Sequence, residues 1–153
     1  MFNENKDFPR IGKSVQLFEK YFGEQLNRSE NLVEFAQDIY DNGEYVKVLK
    51  VNEKANNIAW TIESKSHVAV LAADKFLPDD TKLVKEQIAV KNIFIDAEFP
   101  VDIYEYYSES LLDSDAYIES DQSDKGYITV YISEINNVNC RLVVGLGRED
   151  QVN

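Results

Sequence analysis

A single cysteine, Cys140, leaves no internal disulfide to be made, and a reducing compartment is the natural home for such a chain. A single histidine, His67, excludes any histidine-based metal cluster. It sits in Ser-His-Val-Ala-Val, an apolar setting in which a structural role is the commoner one. Three prolines and six glycines, none clustered, leave no linker and no domain boundary. No apolar run reaches membrane-spanning length; the richest, His67 to Ala73, is short. Met1 to Arg10 lacks the basic start and apolar core of a secretion signal, so neither export nor membrane insertion is expected.

The most informative scarcity is of positive charge. From Asn92 to Asp124, 33 residues pass without one Lys or Arg. Ten of them are acidic: Asp96, Glu98, Asp102, Glu105, Glu109, Asp113, Asp115, Glu119, Asp121 and Asp124. The formal charge of the chain is −12, so this tract leaves only −2 for everything else. Charge so concentrated repels itself unless solvation or a cationic partner offsets the cost. Nucleic acid is not expected as a direct ligand, because phosphates are bound by Lys and Arg. A basic protein surface is.

What is present suits one globular domain over residues 1–153: 44% hydrophobic and 29% charged residues, enough to bury a core without staples. Residues 1–12 read as an irregular arm. Val15, Phe18, Tyr21, Phe22 and Leu26 predict a helix over 14–27. A second helix is expected over 30–42, with Ser29 as N-cap, Gly43 as stop, and Leu32, Phe35, Ala36, Ile39 and Tyr40 as its apolar stripe. Asn27 and Arg28 leave room for a tight turn, so the two form a helical hairpin. Residues 45–51 and 58–63 read as strands joined through 52–57, with continued helix as the competing reading. Residues 68–77 suit either a buried strand or a short helix ended by Pro78. A helix is expected from Asp79 to about Lys91. Strands over 127–132 and 140–146, with Asn136 and Asn137 in the turn, close the chain as a β-hairpin. The expected fold is α+β: an N-terminal helical hairpin packed on an antiparallel sheet with a C-terminal β-hairpin.

Within the acidic tract, a helical reading of 101–113 stacks Asp102, Glu105, Glu109 and Asp113 at offsets of 3, 4 and 4 as one carboxylate stripe. Tyr106 lies among them. Asp115, Tyr117 and Glu119 extend the surface into the loop beyond. Tyrosine is a good interface anchor, and surrounding acids steer a basic partner. These eight residues are the candidate partner-binding set. The plainer reading puts the tyrosines in the core and leaves the acids as solubility devices.

Catalytic and cofactor signals are weak, and no catalytic residue, metal or cofactor is assigned. Gly145-Leu146-Gly147 has only six residues after it, too few for the helix of a dinucleotide loop. Asp113, Asp115, Glu119, Asp121 and Asp124 fit calcium-loop spacing, but Ile118 and Tyr117 occupy positions that need Gly and Asp or Asn. A compact, strongly acidic domain without an active-site signature resembles the immunity proteins that protect bacteria from their own toxins, including those of contact-dependent growth inhibition. The resemblance lies in size, charge and residue usage; no motif of this chain carries it. It implies a cytoplasmic, non-enzymatic inhibitor that covers the active or substrate-binding surface of a basic toxin, commonly a nuclease. The alternatives are a nucleic-acid mimic that disarms a DNA-binding enzyme, an enzyme or ligand-binding domain that uses Asp/Glu and a divalent ion, and an adaptor or chaperone that uses its helical hairpin.

Overall fold

The computed structural model describes residues 8–23, 25–36, 45–62, 66–90, 101–134 and 140–148. They form a mainly-β domain built on one antiparallel sheet. In chain order the elements are α1 (Val15–Phe22), β1 (Gln25–Arg28), β2 (Leu32–Ala36), β3 (Tyr45–Val51), β4 (Lys54–Ile62), α2 (Ser66–Asp74), β5 (Lys82–Val90), β6 (Val101–Tyr107), β7 (Tyr127–Glu134) and β8 (Cys140–Leu146). The eight strands lie in the order β1-β2-β3-β4-β8-β7-β6-β5. The last strand is therefore central, between two meanders.

This overturns the expected helical hairpin. The first helix forms but is short: Ser14 caps it by accepting from the Gln16 amide at 3.2 Å, and Gly23 stops it at φ +90°. The expected second helix is β2 where it is described. Its side chains alternate, with Val33 and Phe35 fully buried opposite Val48 and Val46 of β3. Period two wins over the 3.6-residue stripe because pairing buries both residues in the sheet core. Ser29, expected as a helix cap, instead donates its amide to the Leu32 carbonyl at 2.8 Å in the β1–β2 turn. Gly43, Ile39 and Tyr40 lie outside the described residues. In place of the helices expected over 79–91 and 101–113 stand the strands β5 and β6, paired antiparallel with each other, with 108–113 in a loop beyond β6.

β3 and β4 join through a turn tighter than expected. Only Asn52 and Glu53 separate them, both in the left-handed region at φ 54° and 60°. That twist matches the twist of the flanking strands. β7 and β8 pair over 128–134 and 140–146, with Asn136 and Asn137 outside the described residues.

Cross-strand register assembles the core. Phe35, Val46, Trp60, Leu142 and Ile132 form one row across β2, β3, β4, β8 and β7; Val33, Val48, Ile58, Val144 and Val130 form the next. All ten are buried. Val15, Phe18 and Phe22 of α1 and Ala69, Ala72 and Ala73 of α2 complete the same cluster. Phe8 and Ile11 join it too, so residues 8–12, though irregular, are anchored: the Ile11 amide donates to Phe76 O at 2.7 Å and the Gly12 amide to Ala55 O at 2.8 Å. No described helix is long and apolar enough to cross a membrane.

β5 has a single sheet neighbour, β6, among the described strands. Its register shifts twice, between Leu83 and Lys85 and between Gln87 and Val90.

Candidate functional site

In β6 the sequence Val-Asp-Ile-Tyr-Glu-Tyr-Tyr alternates between the two sides of the sheet, which dismantles the expected carboxylate stripe. Asp102, Tyr104 and Tyr106 point to the side that carries the core. Tyr104 and Tyr106 pack against it, and burial holds both phenols above their ordinary pKa. Glu105 points the opposite way and is only 4% exposed. Arg148 meets it with two donors, Nε to Oε1 and Nη2 to Oε2, each at 3.3 Å. The same guanidinium stacks over the Tyr127 ring, 4.6 Å from its centre. Glu105 is thus an internal ion-pair partner, not a contact residue. Tyr106 is likewise a core-packing residue.

After Tyr107 the chain leaves the sheet and returns only at Tyr127. This nineteen-residue connection is longer than hairpins usually carry, yet it is closed and pinned. At its neck the Ser108 amide donates to Gly126 O at 2.7 Å. Gly126 sits at φ +96°, and a Cβ there would lie 2.6 Å from the Tyr107 ring. Only glycine fits.

Three further ties hold the loop. Asp80, in the turn before β5, takes the Ser108 hydroxyl at 2.5 Å and the Ser110 amide and hydroxyl at 3.0 Å each. The Ser108 hydroxyl chiefly, with Ser110, pulls the Asp80 carboxyl below the ordinary carboxylate range despite an opposing effect of burial. The short 3-10 turn Glu109–Leu111 begins there and turns Leu111 into the core. Next, the β3–β4 hairpin grips the middle. Asn52 and Asn56 donate to the carbonyls of Asp115 and Ala116 at 2.7 and 2.8 Å, and Lys54 pairs with the Asp115 carboxylate at 2.5 Å. Lys54 also lowers the Asp115 pKa. Finally Tyr117, 2% exposed, donates its hydroxyl to Tyr127 O at 2.8 Å and accepts from the Gly126 amide at 2.9 Å. A second 3-10 turn, Glu119–Asp124, precedes β7.

Of the eight expected contact residues, the structure brings Glu109, Asp113 and Asp115 together on this loop, all exposed, with Glu119 further along it. It separates Asp102 and Glu105 from them, buries Tyr117, and neutralises Asp115 with Lys54. Asp96, Glu98, Phe94 and Phe99 lie outside the described residues. Two loop residues escaped the sequence reading: Leu112 and Ile118, 44% and 43% exposed. Their signal was weak, since each follows a residue that turns inward, Leu111 or Tyr117. What marked the loop itself was composition, with Ser108, Ser110, Ser114, Ser120 and Ser123 set among aspartates.

Among the described residues, no three His, Cys, Asp or Glu side chains are placed to hold a metal ion. Cys140 is buried at the start of β8, and burial pushes its thiol up, away from the reactive thiolate. Gly145 lies in β8 and Gly147 just past its end. The Gly147 amide donates to Tyr127 O at 2.9 Å, which spends it on the sheet.

No protein-family model matches this chain, and neither a curated protein nor a solved structure is significantly similar to it.

Proposed function

We propose that this protein is a cytoplasmic, non-enzymatic inhibitor of the immunity type. It binds a basic protein partner through the acidic loop of residues 108–126 and neutralises it by covering its active or substrate-binding surface. The observation that carries this reading is the loop's combination of negative charge with rigidity. It holds six acids and one lysine, and it is fixed at the neck and at three further points. A preorganised loop loses little entropy on docking. Leu112 and Ile118 supply the apolar contacts that Tyr106 and Tyr117, both turned inward, do not. The contact set is therefore Glu109, Leu112, Asp113 and Ile118.

Mimicry of nucleic acid is the weaker alternative, because it calls for carboxylates in an even row and β6 sends its two to opposite sides. The test is co-purification with the product of the adjacent gene, using wild-type protein and the Glu109→Lys/Asp113→Lys variant. Binding of the wild type at low salt and its loss in the variant are expected. Absence of any binding at low salt, or equal binding by both, sinks the proposal.

A further inference from the structure

A second feature lies just behind the loop's first anchor and has the opposite electrostatic character. Side chains between Phe8 and Tyr21, the turn 78–80 and Ser110 line an open cleft of about 710 Å³, within the range of small-ligand sites. One wall is apolar. Phe8 stands edge-on to Tyr21 with ring centres 4.8 Å apart, and Leu17 and Tyr21 remain 43% and 37% exposed beside Pro78.

Three cations meet this wall: Arg10, Lys13 and Lys20. In a chain of charge −12 that convergence needs a reason. Arg10 is built in. Its side chain is 19% exposed, it donates to the Leu77 carbonyl, and it pairs with Asp79 at 3.1 Å. Of the acids on the rim, Asp79 is paired with Arg10, while Asp80 keeps its charge and turns it to the serines of the loop. Lys13 and Lys20 are exposed and form no ion pair among the described residues.

We infer that this cleft binds a small organic anion: an aromatic or branched apolar body against Leu17, Tyr21 and Phe8, with a carboxylate or phosphate held by Lys13 and Lys20. Charge-assisted hydrogen bonds from the two ammonium groups fix the head, and the wall selects the body. The site is independent of the protein-binding face, which it touches only through Ser110.

Phenyl phosphate is the probe, with inorganic phosphate and benzyl alcohol separating head from body. Titration followed by amide NMR shifts is expected to saturate in the millimolar range or tighter, with the moving peaks at Lys13, Leu17, Lys20, Tyr21 and Ser110. Either half alone binds roughly ten-fold more weakly or worse. Lys13→Gln/Lys20→Gln weakens phenyl phosphate by about ten-fold or more, whereas Lys13→Arg/Lys20→Arg keeps it. Glu109→Lys/Asp113→Lys leaves these shifts in place, so failure of the partner-binding proposal does not carry over. The inference is overturned by non-saturating shifts up to about 10 mM, by benzyl alcohol binding as well as phenyl phosphate, or by unchanged affinity in the glutamine variant.

Discussion

Single residues here divide by what they leave behind when removed. Arg148 and Glu105 form one ion pair, but the glutamate side chain is 5% exposed and the arginine 42%. Arg148→Ala strands a buried carboxylate, while Glu105→Gln leaves an arginine that water can reach. With discount for that solvent access, Arg148→Ala is expected to cost about 2 kcal/mol and Glu105→Gln about 1 kcal/mol in urea denaturation. An equal cost for both would show that solvent screens the carboxylate after all. Tyr117→Phe removes a hydroxyl that both donates and accepts in a buried setting, for a loss of about 1–2 kcal/mol. Its signature is faster hydrogen exchange at the Gly126 amide, which loses its acceptor. Gly126→Ala is harsher, because positive φ and the Tyr107 ring act together; about 2–4 kcal/mol is expected. Sequence reading weighed Tyr117 as an anchor and Glu105 as a contact because both stood among acids. Neither residue type reveals which side of the backbone it takes. For Glu105 it depended on period, two rather than 3.6; for Tyr117, in the loop, on its hydroxyl's bonds to Tyr127 and Gly126.

At the scale of elements, legibility follows how much packing the local sequence foretells. Residues 127–132 were readable as a strand because β-branched and aromatic residues run unbroken there, and 45–51 and 140–146 because valines recur among Lys47, Lys50 and Arg141. β2, β5 and β6 were not. Leu32–Ala36 and Lys82–Val90 contain helix formers at helix-like spacing, and only their partners, β3 and β6, decide the outcome. The 108–126 loop was half legible: its composition read as a loop from Asp115 onward, while Glu109 and Asp113 were assigned to a helix. Its first anchor has a pH dependence of definite sign. The Asp80 carboxyl titrates lower in the folded chain than in the unfolded one. Its contribution to stability is therefore complete above the ordinary carboxylate value, about pH 4, and is lost as pH falls through the lower folded value. As pH falls from about 4 to about 2, the Ser110 amide is expected to exchange progressively faster relative to the sheet amides, with no change in that ratio between about pH 6 and about pH 5. In Asp80→Asn that relative rate stays flat; a parallel acid response in the variant would assign the effect elsewhere.

Taken whole, the molecule is an acidic sheet domain in which several of the described cations are held in ion pairs. Arg148 holds Glu105, Lys54 holds Asp115, Arg28 bridges Glu19 and Glu53, and Lys47 reaches Glu34. On the negative loop Asp115 is paired with Lys54, whereas Glu109 and Asp113 form no ion pair among the described residues. Association with a basic partner is expected to slow by roughly ten-fold or more as ionic strength rises from about 10 mM to about 150 mM, with a much smaller change in dissociation rate. Stopped-flow rates at the two salts check this. A salt-independent association rate would mean that long-range attraction plays no part.

The outer strand β5 carries a consequence for colloidal behaviour. It leaves Leu83, Val84 and Ile88 about half exposed on a ribbon whose outer side pairs with no strand among the described residues and can template a neighbour, and its two register shifts together with Lys82 and Lys85 discourage such stacking. Replacing both lysines by valine removes that protection without touching the core. The doubly substituted protein should form fibrils that bind thioflavin under conditions where the parent solution stays clear.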